Sequence, residues 1–288
     1  MNGAAIAARV ALATCAEVPD GDEDSPALVR ALAARGVDAR PAVWDDASVD
    51  WRAFDLVVVR STWDYAERRD AFLAWAESLP RVLNPSAVVR WNTDKHYLRE
   101  LARAGVPVVP TTFLEPGDPF RAPDRRFVVK PAVSAGSRHS ATYEPSESAA
   151  AGAHVARLHE MGRAVIVQPY LDGIDAHGET GVIYLAGSYS HTVRKAALLR
   201  PGQPPGEALY LDEEIDRAEP TPAERALADH ALDACPSDNL LLARVDLVPG
   251  PDGPVLLEVE LTEPSLFLGY APRATERFAD AIAAALGS

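Results

Sequence analysis

The stretch "VLLEVELTEPSLFLGY" (residues 255–270) begins with a strict alternation of side chains, the period of a half-buried β-strand. One face of this predicted strand is aliphatic and consists of Val255, Leu257, Val259 and Leu261. The other face carries Glu258 and Glu260 beside Leu256, and the stretch contains no Lys or Arg. Because neighbouring carboxylates repel each other, the pattern predicts a cation that comes from outside the stretch.

The preceding segment "LLARVDLV" (241–248) predicts the partner strand of a hairpin, joined through the turn "PGPDG". Arg244 and Asp246 share one face of it. Antiparallel pairing then places Asp246 beside Glu258 and Glu260. Three clustered carboxylates suit a hard ion such as Mg²⁺, which prefers oxygen ligands. A solvated strand face neutralised by Arg244 is the alternative, and the hairpin alone does not decide between the two.

Two lysines and a loop of small residues indicate phosphate binding. Lys130 ends the apolar strand "RFVVKP", and the loop "SAGSRHS" (134–140) that follows has backbone N–H groups which a phosphate could approach closely. Lys95 is predicted in the first turn of a helix over 93–104, where a bound phosphate would explain an otherwise unfavourable cation. No Walker motif occurs in the sequence. Each lysine alone is equally well explained as a surface residue.

The order of the motifs resembles the ATP-grasp superfamily, on its glutathione-synthetase-like side, from about residue 92 to residue 270. In chain order the motifs are Lys95, Lys130 with its loop, "VQPYL" (167–171), Glu179, Arg194, Asp246 and the pair Glu258 and Glu260. The resemblance implies an α/β fold in which two α+β lobes clasp ATP, after a small domain with a parallel sheet. The implied domains are 1–91 (pre-ATP-grasp domain), 92–167 (small lobe) and 168–288 (C-terminal lobe with the metal site).

By position, the resemblance implies the nucleotide contacts. The implied ATP-binding residues are Lys95, Lys130, Gly136, Ser137, Gln168, Tyr170, Leu171 and Glu179. The two lysines would bind the phosphates, and the loop would fold over them. Gln168 and the backbone near Tyr170 and Leu171 would contact adenine. Glu179 would bind the ribose hydroxyls.

The metal and catalytic positions are implied in the same way. Mg²⁺ would be ligated by Asp246, Glu258 and Glu260. Arg194 would face the γ-phosphate, where Lys130 also neutralises charge, and Arg244 would stabilise the oxyanion formed when nitrogen attacks the acyl carbon. Two departures argue against a glutathione-like substrate. Glu260 stands where the superfamily often has Asn, and Gly181 stands where glutathione synthetases tend to carry a basic residue.

Four further segments are similar to the ATP-grasp cyclo-ligases of D-cycloserine biosynthesis and their actinobacterial relatives: "RSTWDY" (60–65), "LNP" (83–85), "TDKHYL" (93–98) and "ELTEPSLFL" (260–268). Such enzymes close O-ureido-D-serine to D-cycloserine with ATP. "RSTWDY" follows the predicted strand 54–59, at the carboxyl end where α/β sheets bind ligands. The implied substrate-binding residues are Arg60, Ser61, Thr62, Trp63, Tyr65, Thr262 and Ser265. Arg60 would bind a carboxylate; for Trp63 and Tyr65, packing alone is the alternative.

These resemblances imply an ATP- and Mg²⁺-dependent carboxylate–amine ligase. It would activate a small amino-acid-like substrate as an acyl phosphate and release ADP and phosphate, with ring closure of O-ureido-D-serine as the favoured reaction. Two alternatives remain open: a ligase that joins two amino acids or dipeptides, and an ATP-binding protein without catalysis. The segment 200–216, rich in Pro, Gly and acidic residues, is expected to close over the site when ATP and substrate bind.

Composition argues against several other classes of function. The formal net charge of −14 argues against nucleic acid or an anionic membrane as a main partner. No apolar run is long enough to span a bilayer, and the first residues lack a signal-peptide pattern. Cys15 and Cys235 are the only cysteines, as expected in a reducing cytoplasm. A homodimer is left open. Among the histidines, His139 and His191 lie near the expected site.

The remaining elements follow from local patterns. Strand 9–14, a helix over 25–35 with Ser25 as its N-cap, and strand 54–59 form a βαβ pattern typical of a small parallel sheet. A hairpin over 180–199 is expected to turn at Ala186 and Gly187, and the stretch 200–221 is expected to be a loop. Further helices are predicted over 66–79, 146–161, 222–234 and 271–286.

Overall fold

The structure, a computed structural model, describes residues 8–199, 202–203, 205–206, 208–209 and 214–287. These residues form three β-sheets with helices packed against them, which confirms the expected α/β class. No helix among them is both long enough and apolar enough to cross a lipid bilayer. The N-terminal tail (1–7) and part of the expected closing segment 200–216 lie outside the described residues.

The first sheet is parallel and has the strand order β2-β1-β3-β4. Its strands are β1 (Ala8–Thr14), β2 (Val37–Val43), β3 (Leu56–Ser61) and β4 (Val82–Leu83). The connecting helices are α1 (Ser25–Ala33) and α2 (Arg69–Ser78), and the C-terminal helix α8 (Ala274–Leu286) packs against α1. Leu28 and Leu32 lie four residues apart on the buried stripe of α1, so that helices bury the apolar strands.

The second sheet is small and antiparallel, with the strand order β5-β8-β6-β7. Its strands are β5 (Thr112–Leu114), β6 (Phe127–Pro131), β7 (Ala141–Tyr143) and β8 (Val165–Pro169). Helix α5 (Ser148–Glu160) covers one face, where Leu158 joins a core with Phe127 and Val129. The opposite face presents Lys130 and Gln168 to a cavity.

The third sheet is antiparallel, with the strand order β11-β10-β9-β12-β13. Its strands are β9 (Glu179–Leu185), β10 (Ser188–Lys195), β11 (Ile215–Ala218), β12 (Leu242–Gly250) and β13 (Gly253–Glu260). Helices α3 (Ser86–Asn92), α4 (Tyr97–Arg103) and α7 (Pro222–Asp233) pack on one face, and the short α6 (Gly173–His177) precedes β9. The β9–β10 turn at Ala186 and Gly187 is confirmed, with φ of 47° and 71°.

Asn84, in the "LNP" segment, joins the first sheet to the third. Its side chain is fully buried, and Nδ2 donates to the carbonyl oxygens of Leu242 (2.8 Å) and Leu261 (2.6 Å). Its Oδ1 accepts a hydrogen bond from the backbone N–H of Leu241 at 2.7 Å. Because a buried amide is costly unless it is satisfied, these bonds hold the two sheets in one relative position.

A β-bulge changes the expected faces of β13. The strands β12 and β13 stay in register up to the pair Asp246–Glu258, and the next pair is Leu247–Leu256. Leu257 is therefore an extra residue without a partner. Leu256 is buried in the core, whereas Leu257 lines the cavity. The faces expected for these two leucines were wrong, because the bulge shifts the alternation by one residue.

The start of one helix and the end of one strand in the N-terminal part differ from the prediction. Helix α1 begins at Ser25 itself, with Asp24 as the N-cap residue. Strand β3 continues to Ser61, so Arg60 lies within the strand rather than after it. Pairing with β1 extends β3 in this way, since Thr14 pairs with Ser61. Tertiary pairing therefore outweighs the local pattern at these positions.

Two predicted elements in the remainder of the chain also need correction. The helix expected over 93–104 starts only at Tyr97, so Lys95 precedes it. The backbone N–H of Lys95 donates to the carbonyl oxygen of Ala132 at 2.9 Å, a tertiary bond that competes with helix formation. The expected loop 200–221 contains β11, which adds to the edge of the third sheet beside β10. Helices α3 and α6 were not predicted.

The expected domain boundaries fall inside secondary-structure elements. The boundary at 91/92 cuts helix α3, and the boundary at 167/168 cuts strand β8. We propose that the small lobe instead begins after Asn92 and ends after Pro169. These positions leave the hydrogen-bonded pairs of β8 with β5 and β6 in one unit.

Candidate active site

A cavity of about 730 Å³ lies between the second and third sheets and extends to loops beside the first sheet. Lys130 and Gln168 line it from the second sheet, and Glu179 and Glu258 line it from the third. Asp24, at the start of α1, lies at its other end. Sites for small molecules and cofactors usually enclose about 300–1,000 Å³, so the cavity has a suitable size.

Alternation along the third sheet places six ionisable side chains on the face that borders the cavity. They are Glu179, Lys195, Arg244, Asp246, Glu258 and Glu260. Residues between them, such as Val182 and Val245, are buried in the core on the opposite face. Charge is therefore concentrated on one side of the sheet and apolar packing on the other.

The three carboxylates expected to bind a metal lie together. One ligand oxygen from each of Asp246, Glu258 and Glu260 lies within 4.8 Å of the other two. Glu258 and Glu260 are partly accessible from the cavity, whereas Asp246 is fully buried. Three carboxylates at this spacing fit a small divalent cation that prefers oxygen ligands.

Arg244 joins two of these carboxylates. Its Nε donates to Asp246 Oδ1 at 2.9 Å, and its Nη2 donates to Asp246 Oδ2 at 2.8 Å and to Glu260 Oε1 at 2.5 Å. Burial opposes ionisation of Asp246, but Arg244 and Lys195 outweigh it and lower the pKa of this carboxyl. At Glu260 burial dominates over the attraction of Arg244 and raises the pKa to about 7.

Two lysines neutralise the third carboxylate. Lys95 Nζ lies 3.3 Å from Glu258 Oε2 and donates to the carbonyl oxygen of Ser134 at 3.1 Å. Although Glu258 is buried, Lys95 and Lys130 hold its pKa well below the usual range. Burial lowers the pKa of Lys130, which Glu258 partly offsets. Lysines and carboxylates thus lie side by side at the cavity, an arrangement that suits a metal-bound polyphosphate.

The loop 134–140 borders the cavity from the second sheet and has an unusual backbone. Gly136 and Ser137 line the cavity with φ of 59° each, and His139 has φ of 57°. Left-handed conformations turn the chain tightly and are rare for residues other than glycine. Such turns are able to present backbone N–H groups to an anion, and phosphate binding by Gly136 and Ser137 stays a prediction.

The expected adenine contacts line the other end of this sheet. Gln168, Tyr170 and Leu171 all border the cavity. Gln168 Nε2 donates to Thr111 Oγ1 at 2.8 Å, and Tyr170 donates its hydroxyl to Asp175 Oδ1 at 2.5 Å. The hydroxyl of Tyr170 is therefore held away from a ligand, and its ring provides an apolar wall.

Arg194 is not among the residues that line the cavity, contrary to the sequence-based expectation. Its Nη1 donates to Thr180 Oγ1 at 2.5 Å and lies 3.4 Å from Glu224 Oε1, on the face of the sheet that α7 covers. Because successive residues of a strand point to opposite faces, the next residue, Lys195, enters the cavity instead. Lys195 Nζ lies 3.0 Å from Glu179 Oε2.

The residues expected to bind substrate fall into two groups. Trp63, Tyr65 and Ser265 line the cavity. Trp63 Nε1 donates to the carbonyl oxygen of Glu263 at 3.0 Å, and the Tyr65 hydroxyl donates to the carbonyl oxygen of Ser134 at 3.4 Å. These bonds orient both rings at the cavity wall.

The second group, Arg60, Ser61, Thr62 and Thr262, is buried and does not border the cavity. Arg60 is 1% exposed, and its Nη2 donates to Asp22 Oδ2 at 2.6 Å. Ser61 Oγ lies 2.9 Å from Thr14 Oγ1, and Thr262 Oγ1 donates to Asn92 Oδ1 at 3.1 Å. The structure thus places Arg60 as a buried ion-pair partner and does not bring it to a substrate carboxylate.

Lys195 and Glu263 are two of the charged cavity residues that were missed in the sequence. Lys195 was overlooked beside Arg194, because the sequence does not say which of two neighbouring cations faces the cavity. Glu263 lies three residues beyond Glu260 and also lines the cavity. Burial, reinforced by Glu260, raises the pKa of Glu263 to about 8. A second acid in "ELTEPS" (260–265) was the available signal for it.

Gly181 occupies a position without room for a side chain. A Cβ atom there would lie 3.1 Å from Val193 Cγ2, 3.2 Å from Asp246 Oδ1 and 3.5 Å from Arg244 Cδ. The basic residue that glutathione synthetases tend to carry would therefore collide with the metal-site carboxylate or with Arg244, which already supplies a cation at this place.

The two histidines singled out in the sequence do not line the cavity. His191 is buried, and its Nε2 lies 2.9 Å from the carbonyl oxygen of Leu266. Burial lowers the pKa of His191 and of His139, so both are neutral near pH 7. His139 belongs to the loop 134–140 and lies 3.5 Å, Nε2 to Oε1, from Glu67.

Comparison with known proteins agrees with this geometry. A family profile described as "D-cycloserine synthetase DcsG, N-terminal domain" matches residues 10–84. The cycloserine biosynthesis protein DcsG of Streptomyces lavendulae is 40% identical over 282 residues, which cover 91% of this chain and 93% of the relative. The crystal structure of D-cycloserine synthetase DcsG is 39% identical, with a TM-score of 0.87 over 96% of this chain and 99% of that one.

A more distant solved structure shares the fold. The D-alanine–D-alanine ligase of Bacillus anthracis complexed with ATP is 13% identical, with a TM-score of 0.67 over 97% of both chains. The resemblance to the enzymes of D-cycloserine biosynthesis is thereby confirmed. The expected ATP-grasp fold is confirmed by the crystal structure of a RimK domain protein ATP-grasp from Sphaerobacter thermophilus, which is 21% identical with a TM-score of 0.68 over 96% of this chain and 99% of that one. The chain has the ATP-grasp fold and belongs to the family of the D-cycloserine synthetases.

Proposed function

We propose that the protein uses ATP and Mg²⁺ to activate the carboxylate of a small amino-acid-like substrate, which its own nitrogen then attacks to close a ring. The observation that carries this proposal is the meeting of Lys95, Lys130 and Lys195 with Glu258 and Glu260 in one cavity. The buried Asp246 completes a cluster of three carboxylates with these two glutamates. Lysines of this kind bind phosphate, and the carboxylates bind the metal that phosphates share.

The first chemical step is phosphoryl transfer. A substrate carboxylate oxygen attacks the γ-phosphorus of ATP, the bond to the β-phosphate oxygen breaks, and ADP leaves with an acyl phosphate formed. Mg²⁺ bound at Glu258, Glu260 and Asp246 would neutralise phosphate oxygens during this transfer. Lys95 and Lys130 hold the phosphate chain, because positioning and charge neutralisation supply most of the catalysis in such reactions.

The second step joins nitrogen to carbon. The substrate nitrogen attacks the acyl carbon, an oxyanion forms, and its collapse releases phosphate together with a proton from the nitrogen. Arg244 has Nη1 at 3.0 Å from the carbonyl oxygen of Ser265 and its other nitrogens on Asp246 and Glu260. A guanidinium fixed in this way is preorganised to stabilise the oxyanion.

O-ureido-D-serine is the substrate that we propose, with D-cycloserine as the product. The carbamoyl group on the attacking nitrogen is removed by water and leaves as carbon dioxide and ammonia, so that atoms balance. Two similar proteins support this proposal: the relative at 40% identity is a cycloserine biosynthesis protein, and the similar solved structure is that of a D-cycloserine synthetase. When the attacking nitrogen belongs to the activated molecule, its effective concentration is already high, and no second substrate site is needed. Trp63 and Tyr65 would form the wall of this substrate pocket.

Incubation with O-ureido-D-serine, ATP and Mg²⁺ tests the proposal. We expect equal amounts of ADP, phosphate and D-cycloserine, measured by coupled assay and mass spectrometry, and no product when EDTA replaces Mg²⁺. ADP that forms only after a separate amino acid is added would indicate the two-substrate ligase. ATP binding without phosphate release from any amino acid would indicate a non-catalytic protein.

A further inference from the structure

Glu67 occupies a position between the substrate side and the nucleotide side of the site. It ends the short 3₁₀ helix Tyr65–Glu67, whose first residue lines the cavity together with Trp63. Its carboxylate faces three basic side chains, none of them from its own element: Arg138 and His139 of the loop 134–140, and Arg163. One side chain thus connects the N-terminal unit to the loop that borders the phosphate end of the cavity.

The contacts of Glu67 are divided between its two oxygens. Oε2 accepts a hydrogen bond from Arg163 Nη2. Oε1 lies 3.6 Å from Arg138 Nη1 and 3.5 Å from His139 Nε2. Arg163 lies two residues before β8. Through Arg163, Glu67 is held beside the start of a strand of the second sheet, while its other oxygen contacts the loop.

The loop itself needs such support. Ser137 and His139 are non-glycine residues with φ of 59° and 57°. Each conformation of this kind costs about 1–3 kcal/mol and persists only where the surroundings determine it. Part of that constraint comes from the backbone bonds of His139 N–H to the carbonyl oxygen of Gly206 and of Ser140 N–H to that of Ser137. Glu67 adds to it, because its charge offsets the repulsion between Arg138 and Arg163 beside the loop.

The segment that carries Glu67 is anchored on its own side. Trp44 Nε1 donates to Asp64 Oδ1 at 2.8 Å, and Arg68 Nη1 lies 2.5 Å from Asp45 Oδ2. A second bond to the loop region runs in parallel, from the Tyr65 hydroxyl to the carbonyl oxygen of Ser134. The substrate-side segment 63–67 and the loop 134–140 therefore touch at two points, through Tyr65 and through Glu67.

We infer that Glu67 is a positioning residue that holds the loop 134–140 in its ATP-binding conformation and transmits substrate binding at Trp63 and Tyr65 to that loop. The inference rests on the proposed function. Substrate that orders the segment 63–67 thereby orders the loop, so each ligand tightens the binding of the other. Such coupling is reciprocal and is typically 5- to 150-fold.

Calorimetric titration of the full chain with the magnesium complex of AMPPNP, a non-hydrolysable ATP analogue, tests the coupling. For wild type we expect O-ureido-D-serine to tighten AMPPNP binding at least about fivefold. The coupling ratio is the Kd for AMPPNP without substrate divided by the Kd with substrate. Glu67→Gln should reduce this ratio to about one and raise the KM for ATP about tenfold. Glu67→Asp, which keeps the charge, should restore part of the ratio. A merely structural role would weaken AMPPNP equally with and without substrate.

Glu77→Gln is the matched control, because Glu77 accepts hydrogen bonds from Arg90 on the surface of the same N-terminal unit. It should keep the wild-type ratio. If Glu67→Gln fails to fold, Arg138→Gln removes the same contact from the loop side and should also abolish the coupling. A wild-type ratio of one, or a wild-type ratio retained in Glu67→Gln, would overturn the inference while leaving the proposed function intact. Wild-type protein that binds no AMPPNP would overturn both.

Discussion

Lys195 Nζ lies 3.1 Å from Asp246 Oδ2, although strand β9 separates β10 from β12 in the third sheet. The residue of β9 between them is Gly181, which pairs with Val193 on one side and with Asp246 on the other. Since Gly181 has no side chain, the lysine reaches across β9 without obstruction. A cation of one strand thus neutralises a carboxylate two strands away, at the centre of the expected metal site.

Replacement of Lys195 by Met should lower kcat/KM by at least about 100-fold, the usual loss when one preorganised charge is removed from a transition state. The neighbouring substitution Arg194→Met is the matched control, with an expected loss of a few-fold at most, since Arg194 contacts Thr180 and Glu224 on the other face. Steady-state kinetics with ATP and substrate varied separately make the comparison. A larger loss in Arg194→Met would restore the assignment of Arg194 to the γ-phosphate.

Glu258→Gln and Glu260→Gln should each abolish turnover, because each removes a carboxylate from the cluster that holds the metal. The variants should differ in stability when EDTA is present. Glu258 has a lowered pKa, so its charge stabilises the fold at pH 7 and its loss lowers Tm. Glu260 has a pKa raised to about 7, so its charge is unfavourable, and Tm should rise in Glu260→Gln.

Turnover assays, Mg²⁺ titration and thermal denaturation check these outcomes. Glu160→Gln, an exposed change on α5, is the control and should match wild type in all three. Near-wild-type turnover in either carboxylate variant would contradict the proposal that this glutamate binds the metal. An equal change of Tm in both would contradict the opposite pKa directions.

Glu263→Gln should stabilise the protein increasingly as pH rises. The native pKa is raised to about 8, whereas an unfolded glutamate titrates near 4.3. Between these values the native state binds a proton that the unfolded state has released, so the free energy of unfolding falls with rising pH. Glutamine does not titrate, so the free energy of unfolding of the variant does not fall in this way. It should exceed that of wild type by at least about 1 kcal/mol at pH 8 and differ little at pH 4. Thermal or urea denaturation in EDTA measures this difference in the free energy of unfolding. A difference that does not change with pH would contradict the raised pKa of Glu263.

Arg60→Ala should lower stability rather than substrate affinity alone. Arg60 is buried against Asp22, with its guanidinium 5.4 Å from the centre of the Phe278 ring. Removal of one partner from a buried ion pair costs about 3–5 kcal/mol, so Tm should fall and both KM values should rise together. Arg60→Lys, which keeps a charge, should lose less. A selective rise in the KM for substrate at unchanged Tm would instead support the carboxylate clamp expected from the sequence.

Local sequence patterns were sufficient for those parts of the site that depend on neighbouring residues. The period of two along 241–260 predicted that Glu258 and Glu260 share one face of their strand and that Asp246 lies beside them on the paired strand. In the structure, one carboxylate oxygen of each of the three residues lies within 4.8 Å of the other two. The small residues of 134–140 and the strand before them likewise predicted a loop after Lys130. In each case the geometry follows from strand alternation and backbone freedom, which are properties of the chain itself.

Only tertiary structure decided which face of a strand meets the cavity and which buried charges already have partners. Alternation separates Arg194 from Lys195, but the packing of α7 determines that Arg194 lies outside. The bulge at Leu257 depends on pairing with β12, and the burial of Arg60 depends on Asp22, 38 residues away in the chain. A short window of sequence contains no information about such contacts, because their free energies arise between segments that come together only in the folded protein.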